Sequence, residues 1–137
     1  MNAGLTQVLS DGTNTYLYGN GRIAQYNTTT DNPDYFLGDA LGSVRQMTAP
    51  AGESVGAVTL TKSYSPYGTL TQNIGDAQTN YGYTGETTDP NGMIYLRARY
   101  YAPQNGRFLS RDTWAGVYNR PASLNGWGYV KGNPVMR

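Results

Sequence analysis

The sequence contains no cysteine and no histidine. Without cysteine there is no disulfide, no thiolate nucleophile and no structural zinc site of the common kind, and the redox compartment is left open. Without histidine the usual general base and the commonest transition-metal ligand are missing, which closes most hydrolase mechanisms before any motif is considered. Charge is also scarce. Only 14% of residues are charged and the formal net charge is +1, so nothing marks a nucleic-acid partner or an anionic membrane surface. No stretch approaches the roughly 20 apolar residues that cross a bilayer. No charged segment leading into an apolar one opens the chain in the manner of a secretory signal. None of these features implies a cofactor.

What is present is tyrosine, glycine and punctuation. The 137 residues fit one domain with a modest core. Hydrophobic residues make up 38%, and 13 residues are Tyr, a side chain with an apolar ring and a hydroxyl that needs a partner. With 18 Gly and 7 Pro, long helices are excluded.

A short unit recurs, an aromatic-rich strand followed by a Gly, Asn or Asp turn. It occurs at Thr15–Tyr18 before Gly19-Asn20-Gly21, at Arg22–Tyr26, and at Asp34–Leu37 before Gly38-Asp39. It returns at Ser43–Met47 before Pro50-Ala51-Gly52, and at Val58–Tyr64 before Ser65-Pro66-Tyr67-Gly68. Asn80–Tyr83 and Met93–Tyr101 complete the series. Runs joined by Asn-Gly-type turns predict hairpins, because both turn residues tolerate positive φ. Imperfect repetition of the unit predicts a sheet that grows by stacking hairpins. Asp89-Pro90-Asn91-Gly92 is a strong turn. It leads into a strand with Ile94, Leu96, Ala98 and Tyr100 on a buried face and Tyr95, Arg97, Arg99 and Tyr101 on a wet, cationic one. Thr71–Thr79 reads as a mobile loop. Trp114–Arg137, broken at Arg120-Pro121 and Asn133-Pro134, reads as loops with one short helix or strand.

Two blocks carry a family signature. Gly92-Met93-Ile94-Tyr95-Leu96-Arg97-Ala98-Arg99-Tyr100-Tyr101 followed by Gly106-Arg107-Phe108-Leu109-Ser110-Arg111-Asp112 resembles the Rhs repeat-associated core motif. Tyr35–Arg45 resembles its upstream block, and Tyr64-Ser65-Pro66-Tyr67-Gly68 a degenerate YD repeat. Tyr81–Glu86 and Gly128–Pro134 match in the expected order. The resemblance covers nearly the whole chain, with degenerate YD-type hairpins over residues 1–70 and the core motif over 80–137 of one domain.

Such proteins, with insecticidal-toxin C subunits and teneurins, wind β-hairpin ribbons into a hollow shell whose core segment plugs one end. The resemblance therefore implies an all-β fold, a twisted, coiling sheet of antiparallel β-hairpins with an irregular C-terminal segment. It also implies a structural role in a secreted or cell-surface toxin-associated protein. The implied partners are the remainder of the same shell and a C-terminal effector, often released by self-cleavage at core aspartates. On this pattern Asp112, with Arg111, is the candidate catalytic remnant. The chain departs from the pattern at Asp112-Thr113, where many relatives read Asp-Pro. It also ends at Arg137 without the Asp-Pro-x-Gly-Leu segment, so a fragment without enzyme activity is expected.

Aspartyl self-cleavage needs two carboxylates sharing a site, and no partner for Asp112 is evident. A salt-bridged or turn-capping Asp112 is the preferred reading. Arg97 and Arg99 with Tyr95 and Tyr101 could grip an anion or glycan, but a solvated strand surface with cross-strand ion pairs is favoured. Asn27-Thr28-Thr29 is a formal glycosylation sequon read as a turn, and Gly38–Gly42 is read as a turn rather than a phosphate cradle. Trp114 and Trp127 are expected in the core rather than on a sugar platform. Cut edges and few charges also predict self-association into oligomers or fibres by strand pairing.

Overall fold

The computed structural model describes residues 7–30, 32–50 and 56–134. The chain is all-β, in two antiparallel sheets. The first has six strands in strict sequence order: β1 (Asn14–Tyr18), β2 (Arg22–Asn27), β3 (Pro33–Gly38), β4 (Val44–Thr48), β5 (Val58–Tyr64) and β6 (Leu70–Gly75). The second contains β7 (Thr87–Thr88), β8 (Ile94–Leu96), β9 (Arg99–Ala102) and β10 (Arg107–Phe108), ordered β10-β9-β8-β7. Every pair is a hairpin of sequence neighbours, as expected from the repeating strand-and-turn unit.

The turns form for local reasons. Asp39 Oδ1 accepts the N–H groups of Leu41 and Ser43, both at 2.9 Å, and closes the β3–β4 turn. Asn27 Oδ1 accepts the Thr29 N–H at 2.8 Å, an Asx turn at the sequon. Gly68, at φ +89°, is a position only glycine fills: an added Cβ would lie 2.5 Å from the Tyr83 ring. Register shifts at Leu17/Tyr18, Leu37/Gly38, Met47/Thr48 and Ser63/Tyr64 mark bulges near strand ends, which bend strands and increase local twist.

Two clusters form the interior. Tyr16, Val44, Met47, Leu60 and Tyr81 make the first, on one face of the six-stranded sheet. Tyr83, Ile94, Tyr101 and Tyr129 make the second, flanked by Tyr64, Tyr67 and Phe108. Fully buried Met47 and Leu60 each contribute about 1.5–3 kcal/mol of transfer free energy. The tripeptide Tyr81-Gly82-Tyr83 links the clusters, with alternate rings entering one and the other.

Several expectations need correction. Met93–Tyr101 is not one strand: Arg97 takes φ +59° and the chain doubles back, so Ile94 pairs with Tyr101 and Tyr95 with Tyr100. The reversal buries Ile94 and Tyr101 together and turns Tyr95 and Tyr100 outward, which a continuous strand would not allow. Thr71–Thr79 is not a loop throughout, because β6 pairs with β5 from Leu70 to Gly75. Asn80–Tyr83 contributes a single bridge at Tyr81 and the start of a 3₁₀ turn, Tyr83–Gly85, rather than a strand. Trp114 and Trp127 stand 55% and 38% exposed, outside the core. The C-terminal region carries two 3₁₀ turns, Pro121–Ser123 and Tyr129–Gly132, joined by irregular chain. The turn expected at Pro50-Ala51-Gly52 and the two chain ends lie outside the described residues.

Candidate functional site

Two places concentrate buried polar chemistry. The first is the Asp112 region. Asp112 follows Ser110-Arg111, and its Oδ1 accepts the Trp114 N–H at 2.9 Å. Oδ2 lies 2.9 Å from Arg99 Nη2. Arg99 also donates from Nη1 to the Gly126 carbonyl at 3.1 Å, and its guanidinium lies 3.7 Å from the Phe108 ring centroid. The Asp112 N–H reaches the same Gly126 carbonyl at 2.8 Å. The partner cation is therefore Arg99 and not Arg111, whose stem lies against Gly126 on the exposed side. Among the described residues no carboxylate is a partner of Asp112.

Arg99 and Asp112 thus tie the C-terminal segment onto β9. Arg97, expected beside Arg99, pairs instead with Glu86 at 2.8 Å on the far side of the hairpin reversal. The structure consequently separates the four residues Tyr95, Arg97, Arg99 and Tyr101. Tyr101 is buried in the second cluster, while Tyr95 is half exposed.

The second place was not legible beforehand. After β6 the chain crosses back over the sheet as a strap running from Ala77 to Gly85. Its backbone carbonyls are held by side chains rising from the sheet. Gln25 donates to Gln78 O at 2.7 Å, and Lys62 Nζ to Thr79 O and Tyr81 O at 3.2 and 3.1 Å. Arg22 Nη1 donates to Gly85 O at 3.0 Å. Backbone bonds add to these: Val44 N–H donates to Gly82 O, and Thr84 N–H to the Ser43 hydroxyl.

Strap side chains close the first cluster. Tyr81 meets Tyr16 edge-on with centroids 5.0 Å apart. The Arg22 guanidinium lies 3.1 Å from the Tyr81 centroid and within 5.8 Å of Tyr16, Tyr18 and Phe36. Cation–π attraction of this kind grows with desolvation.

Electrostatics follow from burial. Burial pushes the Lys62 ammonium down from its ordinary pKa. The phenols of Tyr16, Tyr64 and Tyr101 are pushed well up, first by burial; for Tyr16 the neighbouring Asp11 carboxylate adds to it. Burial raises Asp11 and Asp39, but hydrogen bonds from Tyr16 to Asp11 and from Arg45 to Asp39, with nearby N–H groups, outweigh it and leave both carboxyls low. Among the described residues no group of three or more Asp or Glu is placed to hold a metal, and no helix is long and apolar enough to cross a membrane.

No protein-family model matches the chain. It is 36% identical over 130 residues to the tRNA3(Ser)-specific nuclease WapA of Bacillus spizizenii, covering 90% of this chain and 5% of that protein. It is 33% identical over 89 residues to the toxin subunit YenC1 of Yersinia entomophaga, covering 61% of this chain and 9% of the subunit. The chain belongs to the Rhs/YD-repeat family. A solved Photorhabdus luminescens Tc holotoxin pore superimposes at a TM-score of 0.75 over 90% of this chain and 6% of the solved one. At 22% identity that likeness shows the Rhs fold and nothing further. The chain spans under a tenth of each of these proteins, so their nuclease and toxin roles belong to much longer polypeptides.

Sequence reasoning located Asp112 but not its partner Arg99, which comes from the far arm of an unforeseen hairpin. It passed over Arg22, Gln25 and Lys62 as ordinary strand residues. The available signal was weak: in a chain this poor in charge, a cation at the foot of a tyrosine-rich hairpin needs a partner, and no nearby carboxylate supplies one.

Proposed function

We propose that this chain is a structural wall segment of a YD-repeat shell in a secreted bacterial toxin, helping to enclose a C-terminal polypeptide. The observation that carries this reading is the sheet itself, six sequential hairpin strands with one face sealed by the strap and the outer edge of β6 unpaired among the described residues. A sheet built this way extends by adding hairpins at an edge. The remainder of the shell and the passenger are its partners, and the segment needs no cofactor and has no catalytic part of its own. In this reading residues 1–137 act as one unit, with Asp112 serving as an anchor.

The test is a chimera in which this chain replaces its counterpart in the Bacillus relative. The expected result is a folded protein whose C-terminal region resists added protease. Digestion of that region at the rate of the free polypeptide, in a folded chimera, would overturn the proposal.

A second reading is favoured by β6. All six of its residues are exposed, including Leu70 and Ile74, so the isolated chain is expected to self-associate through this edge. Light scattering of the isolated chain should show oligomers that disappear in Ile74→Lys at unchanged fold. A monomer across a wide concentration range would end this reading.

A further inference from the structure

We propose that the cleft beside Arg22 binds a carboxylate, specifically an aspartate or glutamate side chain of a polypeptide. The bulge at the β1–β2 turn, where Tyr18 pairs with Arg22, sets the Arg22 side chain on the buried face with Tyr16 and Gln25. There it is surrounded by four aromatic rings and by the strap.

Its charge has no matching carboxylate among the described residues. The ion pairs among the described residues are Arg45–Asp39, Arg97–Glu86 and Arg99–Asp112. Asp11, which contacts the neighbouring Tyr16 hydroxyl, has its oxygens taken by that hydroxyl and by the N–H groups of Thr13 and Asn14. Ring faces stabilise the cation but accept none of its in-plane N–H bonds. Nη1 is used by Gly85 O, and Nε is buried without an acceptor. Nη2 has no acceptor among the described residues and is not among the fully buried, unpartnered atoms.

The guanidinium lines a cleft of about 400 Å³ together with Tyr18, Tyr81, Tyr95, Glu86 and Arg97. Glu86 and Arg97 satisfy each other at 2.8 Å, so one positive charge on the cleft wall stays unmatched. That balance suits a monoanion. A phosphate dianion would face the Glu86 carboxylate with too few donors, whereas a carboxylate can accept a charge-assisted hydrogen bond from the one remaining donor, Nη2. The Tyr18 and Tyr95 rings offer apolar walls for the methylene stem of an acidic side chain. The inference does not depend on the shell reading, because the named lining residues all belong to this chain.

Nitrogen-15 NMR of the arginine Nε–H resonances tests it, with acetyl-Gly-Glu-Gly-amide, its Gln counterpart and inorganic phosphate as probes. The Glu peptide should shift the Arg22 resonance saturably, and the Gln peptide should not. Glu86→Gln, which removes the opposing carboxylate, should tighten binding by about threefold or more. Arg22→Met, if folded by circular dichroism, should abolish the response; if it does not fold, the direction of the Glu86→Gln effect decides. Equal shifts from both peptides, no shift from either, tighter binding of phosphate, or no gain in Glu86→Gln would each overturn the proposal.

Discussion

The two sheets hold together by different means. In the first, strands of five to seven residues exchange longer backbone ladders over a mixed core of Val44, Met47, Leu60 and aromatic rings. In the second, strands of two to four residues carry too few ladder bonds to define a sheet alone. Tyrosine takes over there. The Tyr101 and Tyr129 rings stack with centroids 4.3 Å apart, and phenol hydroxyls reach loop carbonyls. Tyr101 donates to Tyr67 O at 2.7 Å, Tyr83 to Pro66 O at 2.8 Å, and Tyr67 to Gly132 O at 2.8 Å. One residue type thus supplies both apolar burial and the hydrogen bonds that ordered strands supply elsewhere. In the second sheet tyrosine stands in where β-pairing is thin.

The largest test of that contrast is alkali. The folded pKa values of Tyr16, Tyr64 and Tyr101 lie above the value of about 10 of an exposed phenol. Their contribution to stability is full below pH 10 and is lost as pH rises from there, because the unfolded chain releases protons that the folded one retains. Cooperative unfolding above pH 10 is expected, with phenolate absorbance rising together with the loss of circular dichroism. Phenolate formation from all tyrosines in a chain that stays folded would contradict it.

Next come cavities. Tyr101→Ala should cost about 3–5 kcal/mol and Met47→Ala about 2–5 kcal/mol. The pattern of loss separates the sheets. Hydrogen exchange in Tyr101→Ala should rise in β7–β10 while β2–β5 stay protected, and Met47→Ala should raise it across β1–β6. Identical exchange maps would mean that the clusters unfold as one.

Gly68→Ala should cost about 2 kcal/mol by denaturant titration, combining a strained φ with a clash on Tyr83. The smallest effect belongs to Asp112→Asn. Its ion pair with Arg99 is partly exposed, so the cost should stay below about 1 kcal/mol. In a version extended through the native downstream segment, wild type and Asp112→Asn should be processed equally; cleavage lost only in the variant would restore a catalytic role for Asp112.

Strands β1 to β5 were readable because each is a run with aromatic or β-branched residues followed in the sequence by turn-forming residue types. β6 was not, since Thr71-Gln72-Asn73 is polar on both faces and takes its order from β5 alone. The β8–β9 reversal was hidden because alternation continues across Arg97, a non-glycine residue at positive φ with no composition signal. Trp114 and Trp127 were misplaced by treating size as burial. The family was legible from short blocks, while the partners Arg99–Asp112 and Arg22–Gly85 depend on chain reversals that no local pattern states.

The strap carries a consequence for how the chain is made. All six strands of the first sheet pair with sequence neighbours, so each hairpin can close as soon as it emerges from a ribosome. The contacts of Gln25 and Arg22 span 53 and 63 residues and cannot form until the strap has followed. Synthesis from the N-terminus therefore lays down the sheet first and its cover last, with slow, entropy-costly closures deferred to the end. Until then the buried face, with its cation and its rings, stands open to whatever accompanies it.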